Sequence, residues 1–91
     1  MIERKVVLSR RFALHARPCA RLVKESVRFN AEVVLESAGT KVNGKDIMGV
    51  MLLAGDLQTS LTVYAEGPDE VEAVSAIVDL IYGMMGMLDE D

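Results

Sequence analysis

The segment Leu14-His15-Ala16-Arg17-Pro18 holds the residues of this chain that could perform chemistry. His15 is the only histidine, and a neutral imidazole nitrogen can attack phosphorus as a nucleophile. Arg17 lies two residues further on, and its guanidinium offers planar donors to phosphoryl oxygens while keeping its charge. These two side chains together predict that His15 accepts a phosphoryl group and that Arg17 stabilises it.

Pro18 indicates where the helix after this segment begins. Proline is tolerated only in the first turn of a helix, so the sequence predicts a helix from about Ala16 to Val27. His15 then lies at the helix N-terminus, where unpaired backbone N–H groups and the positive end of the helix dipole favour an anion. The same field disfavours the imidazolium ion and keeps His15 nucleophilic. We expect Ala16 to supply a backbone N–H group and Pro18 to fix the first turn.

Cys19 is the only cysteine and follows His15 by four residues, a spacing that puts both side chains on one helix face. Two such residues are weak support for a metal site, and a small buried thiol is the commoner use of a lone cysteine. We therefore expect no metal, no cofactor and no internal disulfide. A surface histidine without chemistry is the alternative for His15, and the neighbouring Arg17 and Pro18 argue against it.

The spacing of apolar residues predicts seven elements in the order β-α-β-β-α-β-α. The predicted strands are residues 2–8, 31–36, 40–42 and 57–66, and the predicted helices are residues 16–27, residues 47–52 and a third helix from about residue 69. Asp69 and Glu72 resemble a capping box that opens this third helix. Arg10 to Ala13 form a predicted loop before the histidine. Short antiparallel strands with helices on one sheet face give an α+β fold of two layers.

The length of 91 residues suits one domain, which we assign to residues 1–91. The last nine residues, 83–91, include two glycines, three methionines and three acids. Helix propensity falls at glycines, so we expect a frayed tail here, with a Met-rich contact surface as the alternative.

The composition also predicts where the protein resides. No stretch approaches the roughly 20 apolar residues that a membrane span requires. The N-terminus alternates charged and apolar residues instead of presenting the apolar run of a secretory leader. We therefore expect a cytoplasmic protein without membrane insertion.

Positive charge is confined to the first half of the chain. Residues 1–45 carry all ten Lys and Arg and a net charge of +6, whereas residues 46–91 carry a net charge of −10. Four cations follow helical spacing along the first predicted helix: Arg17, Arg21, Lys24 and Arg28. This basic row predicts docking to an acidic protein surface, with a scattered solvated surface as the alternative. Nucleic acid would suit the same row, but a pI of about 4.9 and few aromatic residues argue against it.

The second predicted helix carries more apolar side chains than one buried face requires. They are Ile47, Met48, Val50, Met51, Leu52 and Leu53. Two interpretations fit them equally well: an exposed, Met-containing docking patch beside the basic row, or a helix that is buried all round. Asp46 precedes this helix and is predicted to cap it.

Along nearly its whole length the sequence resembles the histidine-containing phosphocarrier (HPr) family of the bacterial sugar phosphotransferase system. The segment from Leu14 to Pro18 is similar to the family's active-site motif, residues 46–51 to its regulatory segment, and residues 65–70 to the join with its last helix. The resemblance implies an open-faced β-sandwich, in which three helices cover one side of a four-stranded antiparallel sheet.

The resemblance also implies a reaction and its partners. Enzyme I, phosphorylated from phosphoenolpyruvate, would pass its phosphoryl group to Nδ1 of His15, and an enzyme IIA domain would remove it. The chain would then be a monomeric carrier and not a stand-alone enzyme, with regulatory proteins as further partners. Arg17 would stabilise the phosphate. Positions that match the family's partner-binding surface are Ala20, Lys24, Ile47, Met48 and Met51, beside Arg21 of the basic row.

The sequence departs from the family pattern in three places. Asp46 stands where many members have a serine that a regulatory kinase phosphorylates, so we expect a permanent charge there and no modification by that kinase. Ala13 replaces a glycine, and Cys19 replaces an alanine. The longer, acidic end of the chain is similar to the nitrogen-related branch of the family. A regulatory carrier of that branch, or an interaction module in which His15 is idle, therefore stays open as an alternative.

Overall fold

Three helices and four short strands follow one another in the predicted order, β-α-β-β-α-β-α. This computed structural model describes residues 1–9, 15–57 and 59–89, without the side chains of residues 87–89. The elements are β1 Ile2–Val7, α1 Ala16–Ser26, β2 Glu32–Ser37, β3 Thr40–Asn43, α2 Ile47–Gly55, β4 Ser60–Glu66 and α3 Glu70–Asp89. The predicted loop from Arg10 to Ala13 lies outside the described residues, as does Leu14.

The four strands form one antiparallel sheet in the order β1-β4-β2-β3. Its register pairs Val6 of β1 with Leu61 of β4, and Val63 of β4 with Leu35 of β2, so that apolar side chains meet on one face. The turn between β2 and β3 contains Gly39 at φ 83°, a conformation that glycine adopts without steric cost.

All three helices lie on one face of this sheet. α3 packs on β4 and β1, α2 packs on β3 and β2, and α1 contacts both other helices. Leu22 of α1, Leu53 of α2 and Ile77 of α3 are fully buried between these layers. The expected open-faced β-sandwich of the α+β class is therefore confirmed. Among the described helices, none combines the length and apolar character needed to cross a bilayer.

The end of the chain differs from its prediction, because α3 continues to Asp89 where we expected a frayed tail from residue 83. Met84 and Met85 bury their side chains, with exposed fractions of 6% and 7%. Burying one methionine contributes about 1.5–3 kcal/mol, which exceeds the cost of about 1 kcal/mol for a glycine inside a helix. Gly83 and Gly86 therefore do not end the helix. Residues 90 and 91 lie outside the described residues.

The start of α3 also differs from its prediction. The Asp69 carboxylate accepts hydrogen bonds from the backbone N–H groups of Asn30 at 2.9 Å and Ala31 at 2.7 Å, both outside its own helix. The Glu70 carboxylate accepts the N–H of Gly67 at 3.1 Å. In place of the predicted pairing of Asp69 with Glu72, Glu70 and Gly67 bind each other, since the carbonyl of Gly67 accepts the N–H of Glu70 at 3.3 Å.

Candidate functional site

His15 is the residue that precedes the first turn of α1. Its backbone is extended, at φ −81° and ψ −178°, and its carbonyl oxygen accepts the Cys19 N–H at 3.1 Å. The imidazole is exposed and makes no capping hydrogen bond to the helix. A capping histidine of this kind has its side chain available to a reaction partner. The position agrees with the sequence prediction.

The first turn of α1 presents backbone donors that the helix itself cannot satisfy. The first N–H group to reach an acceptor within the helix is that of Cys19, so those of Ala16 and Arg17 point out of the helix end. Pro18 has no N–H group and holds φ near the helical value. No acidic residue occupies this turn. The helix end therefore keeps its full positive potential for an incoming anion.

The structure brings the predicted site residues together on this turn. The side chains of His15, Ala16 and Arg17 are exposed, and that of Pro18 is partly buried. One cavity of about 450 Å³ lies along β2 and β3 and includes no residue of this turn. Because three of these four side chains are exposed, the site is an exposed helix end, which suits a group that a partner protein must reach.

Cys19 belongs to the core and not to the site. Its side chain is fully buried, and burial raises the pKa of its thiol. A buried neutral thiol is a poor metal ligand because metals bind the thiolate. Among the described residues, no three potential ligands cluster in a way that could hold a metal ion.

The basic row is exposed along its whole length, from Arg17 to Arg28. The members of the row are not equally available to a partner protein. Arg28 forms an ion pair with Glu25 at 2.7 Å and lies 5.5 Å from the centroid of the Phe29 ring. The row from Arg21 onward lines a shallow depression of about 380 Å³, whose far wall is Leu80 of α3. Among the described residues, Arg17, Arg21 and Lys24, which lie nearer to His15, are the members of the row without an ion pair.

The apolar side chains of α2 are divided between core and solvent. Val50 and Leu53 are fully buried, whereas four others are exposed, with fractions of 39%, 78%, 49% and 66% for Ile47, Met48, Met51 and Leu52. The interpretation of α2 as a fully buried helix is therefore wrong. We call these four exposed side chains the α2 patch. Leu52 was missing from the predicted docking residues. It stands between Met51 and Leu53, and three consecutive residues of a helix cannot all face the core, so the sequence did indicate that a side chain here faces outward.

The helix that carries the basic row, α1, is in contact with the helix that carries the α2 patch. Ala20 and Lys24 of α1 are exposed together with the patch. Asp46 caps α2 as predicted, since its carboxylate accepts the N–H of Met48 at 3.1 Å. The two helices in contact thus expose an apolar area, several cations and the carboxylate of Asp46.

A comparison with protein families decides what this arrangement belongs to. The PTS-HPr family, described as the PTS HPr component phosphorylation site, matches residues 2–82. The chain belongs to the PTS-HPr family. Among relatives, the HPr-like protein Crh of Halalkalibacterium halodurans is 42% identical over 81 residues, which is 89% of this chain and 96% of that protein. The phosphocarrier protein HPr of Cupriavidus necator is 36% identical over 86 residues, covering 94% and 97%.

Solved structures agree with this assignment. HPr of Thermoanaerobacter tengcongensis superposes with a TM-score of 0.83 at 38% identity, covering 94% of this chain and 97% of that one. Crh of Bacillus subtilis, described as a swapped dimer, superposes with a TM-score of 0.68 at 39% identity, covering 91% and 95%. The HPr fold is therefore common to relatives that are described under both names.

Proposed function

We propose that this chain is a phosphocarrier of the phosphoenolpyruvate-dependent sugar phosphotransferase system, with His15 as the phosphoacceptor. The observation that carries the proposal is the exposed His15 at the N-terminus of α1, in a turn that has an arginine and no acidic residue. Membership in the PTS-HPr family supports the carrier role. In the proposal the relay operates in the cytoplasm.

The transfer itself needs little machinery from the carrier. A neutral nitrogen of His15, Nδ1 in the proposal, attacks the phosphorus of phosphorylated enzyme I, and the bond between phosphorus and the enzyme I donor atom breaks as the new N–P bond forms. Arg17 and the N–H groups of Ala16 and Arg17 would hold the phosphoryl oxygens, because donors fixed at a helix end stabilise developing negative charge. Delivery is the same displacement, with an enzyme IIA nucleophile attacking the phosphorus and His15 leaving.

Both partners would dock on the surface that surrounds His15. The α2 patch offers apolar area to be buried, while Arg17, Arg21 and Lys24 offer charge that attracts an acidic partner. The proposed contact residues are Ala20, Arg21, Lys24, Ile47, Met48, Met51 and the additional Leu52. One surface that serves donor and acceptor in turn is consistent with a relay, because the two partners then bind alternately.

The direct test is phosphoryl transfer from labelled phosphoenolpyruvate through enzyme I. Wild type should acquire an acid-labile label of the phosphohistidine type, and His15→Ala should acquire none. Cys19→Ala is the matched control, because it alters the next turn of α1 and should keep the label. An undiminished label on His15→Ala would refute the assignment, and an unlabelled wild type would refute the carrier function.

A regulatory role is the second candidate, and the similarity to HPr-like proteins named Crh favours it. One such relative is described as a catabolite repression HPr. The acidic chain end, with its similarity to the nitrogen-related branch, favours a regulatory acceptor as well. Phosphorylated wild type should be offered separately to a sugar-specific IIA domain and to a nitrogen-related one. Faster loss of label to the nitrogen-related domain would favour regulation over sugar uptake.

We further propose that the carrier acts as a monomer, since His15 and the docking surface lie on one chain. Relatives include an HPr dimer of Thermoanaerobacter tengcongensis and the swapped Crh dimer. Light scattering at micromolar concentration should give the mass of one chain. A stable dimer under these conditions would refute the monomer.

A further inference from the structure

The methionines of the chain fall into two classes by the exposure of their side chains. Among the five whose side chains the structure describes, Met48 and Met51 of the α2 patch are 78% and 49% exposed, and Met1 is 75% exposed. Met84 and Met85 of α3 are only 6% and 7% exposed. Oxidation of a side-chain sulfur follows its exposure, so the two classes should differ in their reaction with an oxidant.

The sulfur atoms inside the fold are protected from such an oxidant. Met84 and Met85 belong to the core, and the Met85 sulfur accepts the backbone N–H of Ser9, with 3.4 Å between the nitrogen and Sδ. An oxidant reaches them only when α3 opens locally. Cys19 is fully buried, and burial raises the pKa of its thiol, which keeps it in the less reactive neutral form. Within α1 and α2, the sulfur that an oxidant can reach is therefore that of Met48 and Met51.

Met48 and Met51 make up half of the α2 patch. They are three residues apart in α2, so their side chains lie on neighbouring turns of one helix face. Their thioethers offer apolar area that a partner protein can bury. A sulfoxide at either position adds a polar S=O group, which must lose its water when an apolar partner surface covers it. Because both side chains lie outside the core, the same change leaves the packing of the fold intact.

We propose that Met48 and Met51 are reversible oxidation sites, at which a peroxide weakens the docking of phosphotransfer partners. This proposal rests on the proposed function, because it regulates the docking surface proposed there. The Sδ lone pair attacks one peroxide oxygen, the S–O bond forms as the O–O bond breaks, and the departing hydroxide takes the hydroxyl proton and leaves as water. The sulfur is oxidised by two electrons and the peroxide is reduced. A methionine sulfoxide reductase restores the thioether while two thiols become a disulfide and water is released.

The sites themselves can be tested without a partner. Peptide mapping by mass spectrometry follows the full-length protein during exposure to hydrogen peroxide. Met48 and Met51 should convert to the sulfoxide about tenfold or more faster than Met84 and Met85, because the buried pair reacts only after local opening. The melting temperature of the protein oxidised at its exposed methionines should stay within about 2 °C of the untreated protein, since surface changes seldom alter stability. Equal rates for the two pairs, or a larger loss of melting temperature, would overturn the proposal.

The effect on docking is measured by the initial rate of labelling by enzyme I, over a range of carrier concentrations. Oxidised wild type should have a KM about tenfold higher than untreated wild type, because apolar contact area is lost at two positions. Its kcat should stay within about twofold, since His15 and the first turn of α1 are unmodified. Methionine sulfoxide reductase with a dithiol should return the KM to its starting value.

Two variants assign this effect to the α2 pair. The double variant Met48→Leu with Met51→Leu keeps an apolar patch that has no sulfur to oxidise. Each protein is compared with its own untreated form, and peroxide should raise the KM of this variant by less than about twofold. Its other methionines, including Met1, remain open to the same treatment and so cannot account for a difference from wild type. Met84→Leu keeps both exposed methionines and should respond to peroxide as wild type does.

The possible failures can be told apart. An unchanged KM in oxidised wild type would overturn the regulation of docking. A rise in KM of the double variant equal to that of wild type would move the effect to other methionines and overturn the role of Met48 and Met51. An unlabelled wild type before any peroxide is added would refute the proposed function, and the effect on docking with it, whereas the peptide map reports the oxidation sites on its own.

Discussion

Arg17 illustrates how a single side chain can act through shape as well as charge. A guanidinium presents a planar set of donors that can hold two phosphoryl oxygens at once, whereas a lysine ammonium is a point charge. Arg17→Ala should lower the rate of phosphoryl transfer by about tenfold or more, and Arg17→Lys should fall between that variant and wild type. Arg4→Lys, an exposed exchange on β1, is the control. Equal rates for wild type and Arg17→Ala would show that Arg17 takes no part in the transfer.

Asp46 has a structural role at the start of α2. Its carboxylate caps α2 through the N–H of Met48, and loss of such a cap costs about 1 kcal/mol. Asp46→Ala should therefore lower the free energy of unfolding by about 1 kcal/mol in denaturant titrations, whereas Asp46→Ser, an equally good cap, should change it by only a few tenths.

The same serine variant tests the regulatory prediction. A kinase that phosphorylates the serine of family members at this position should leave wild type unlabelled, because a carboxylate has no hydroxyl to receive the phosphate. The kinase should label Asp46→Ser. Label on wild type at another serine would show that Asp46 does not protect this chain from the kinase.

Between elements, Asp69 connects the start of α3 to the chain that enters β2. Its hydrogen bonds from Asn30 and Ala31 favour the charged carboxylate and lower its pKa. A pKa that is lower in the folded state than in the unfolded state, where it is about 3.9, gives stability that is complete above that value. This stability is lost as the pH falls through the folded-state pKa.

Asp69→Asn should therefore melt a few degrees below wild type at pH 7, and the difference should shrink as the pH is lowered from 6 to 2.5. Thermal unfolding followed by circular dichroism measures the melting temperatures of both proteins at each pH. Asp79→Asn, an exposed carboxylate later in α3, should melt close to wild type at either pH. A difference between Asp69→Asn and wild type that persisted unchanged at pH 2.5 would contradict the role of the charged form.

The elements themselves differ in how far the sequence predicts them. Alternation in β4 and helical spacing in α3 arise from burial on one face, which is why both elements and the sheet class were predictable. The position of His15 followed from Pro18 alone, since a proline restricts where a helix can begin. α2 was ambiguous because nearly all of its side chains are apolar, so that periodicity could not indicate its exposed side. Its continuation to Gly55 also moved the start of β4 from the predicted residue 57 to Ser60.

Contacts between residues that are distant in sequence account for the two errors in the prediction of α3, at its start and at its end. The Asp69 carboxylate binds N–H groups 38 and 39 residues away, and Met85 binds an N–H group 76 residues away. Nothing near Asp69 or Met85 in the sequence indicates these partners. Local rules therefore assigned Asp69 to its own helix and the methionines to a tail. Both assignments changed once the tertiary fold supplied a better partner.

At the scale of the whole molecule, charge is separated in a way that suits transient encounters. The chain has a net charge of −4, yet the four exposed cations of the basic row follow α1 from the turn beside His15. An acidic partner would be repelled by most of the surface and attracted at the site, which orients it before contact. Rapid, weak association is what a relay between two partners requires, because tight binding would slow release.

This separation predicts a salt dependence confined to one kinetic parameter. Raising the ionic strength from 0.05 to 0.5 M shortens the screening length from about 14 Å to about 4 Å, so kcat/KM with enzyme I should fall by about tenfold while kcat changes little. The double variant Arg21→Gln and Lys24→Gln should have a lower kcat/KM at low salt and a shallower salt dependence. The control, Arg4→Gln with Lys5→Gln, removes the same charge from β1 and should keep the wild-type slope. Equal slopes for the two double variants would show that net charge, and not the row on α1, steers the encounter.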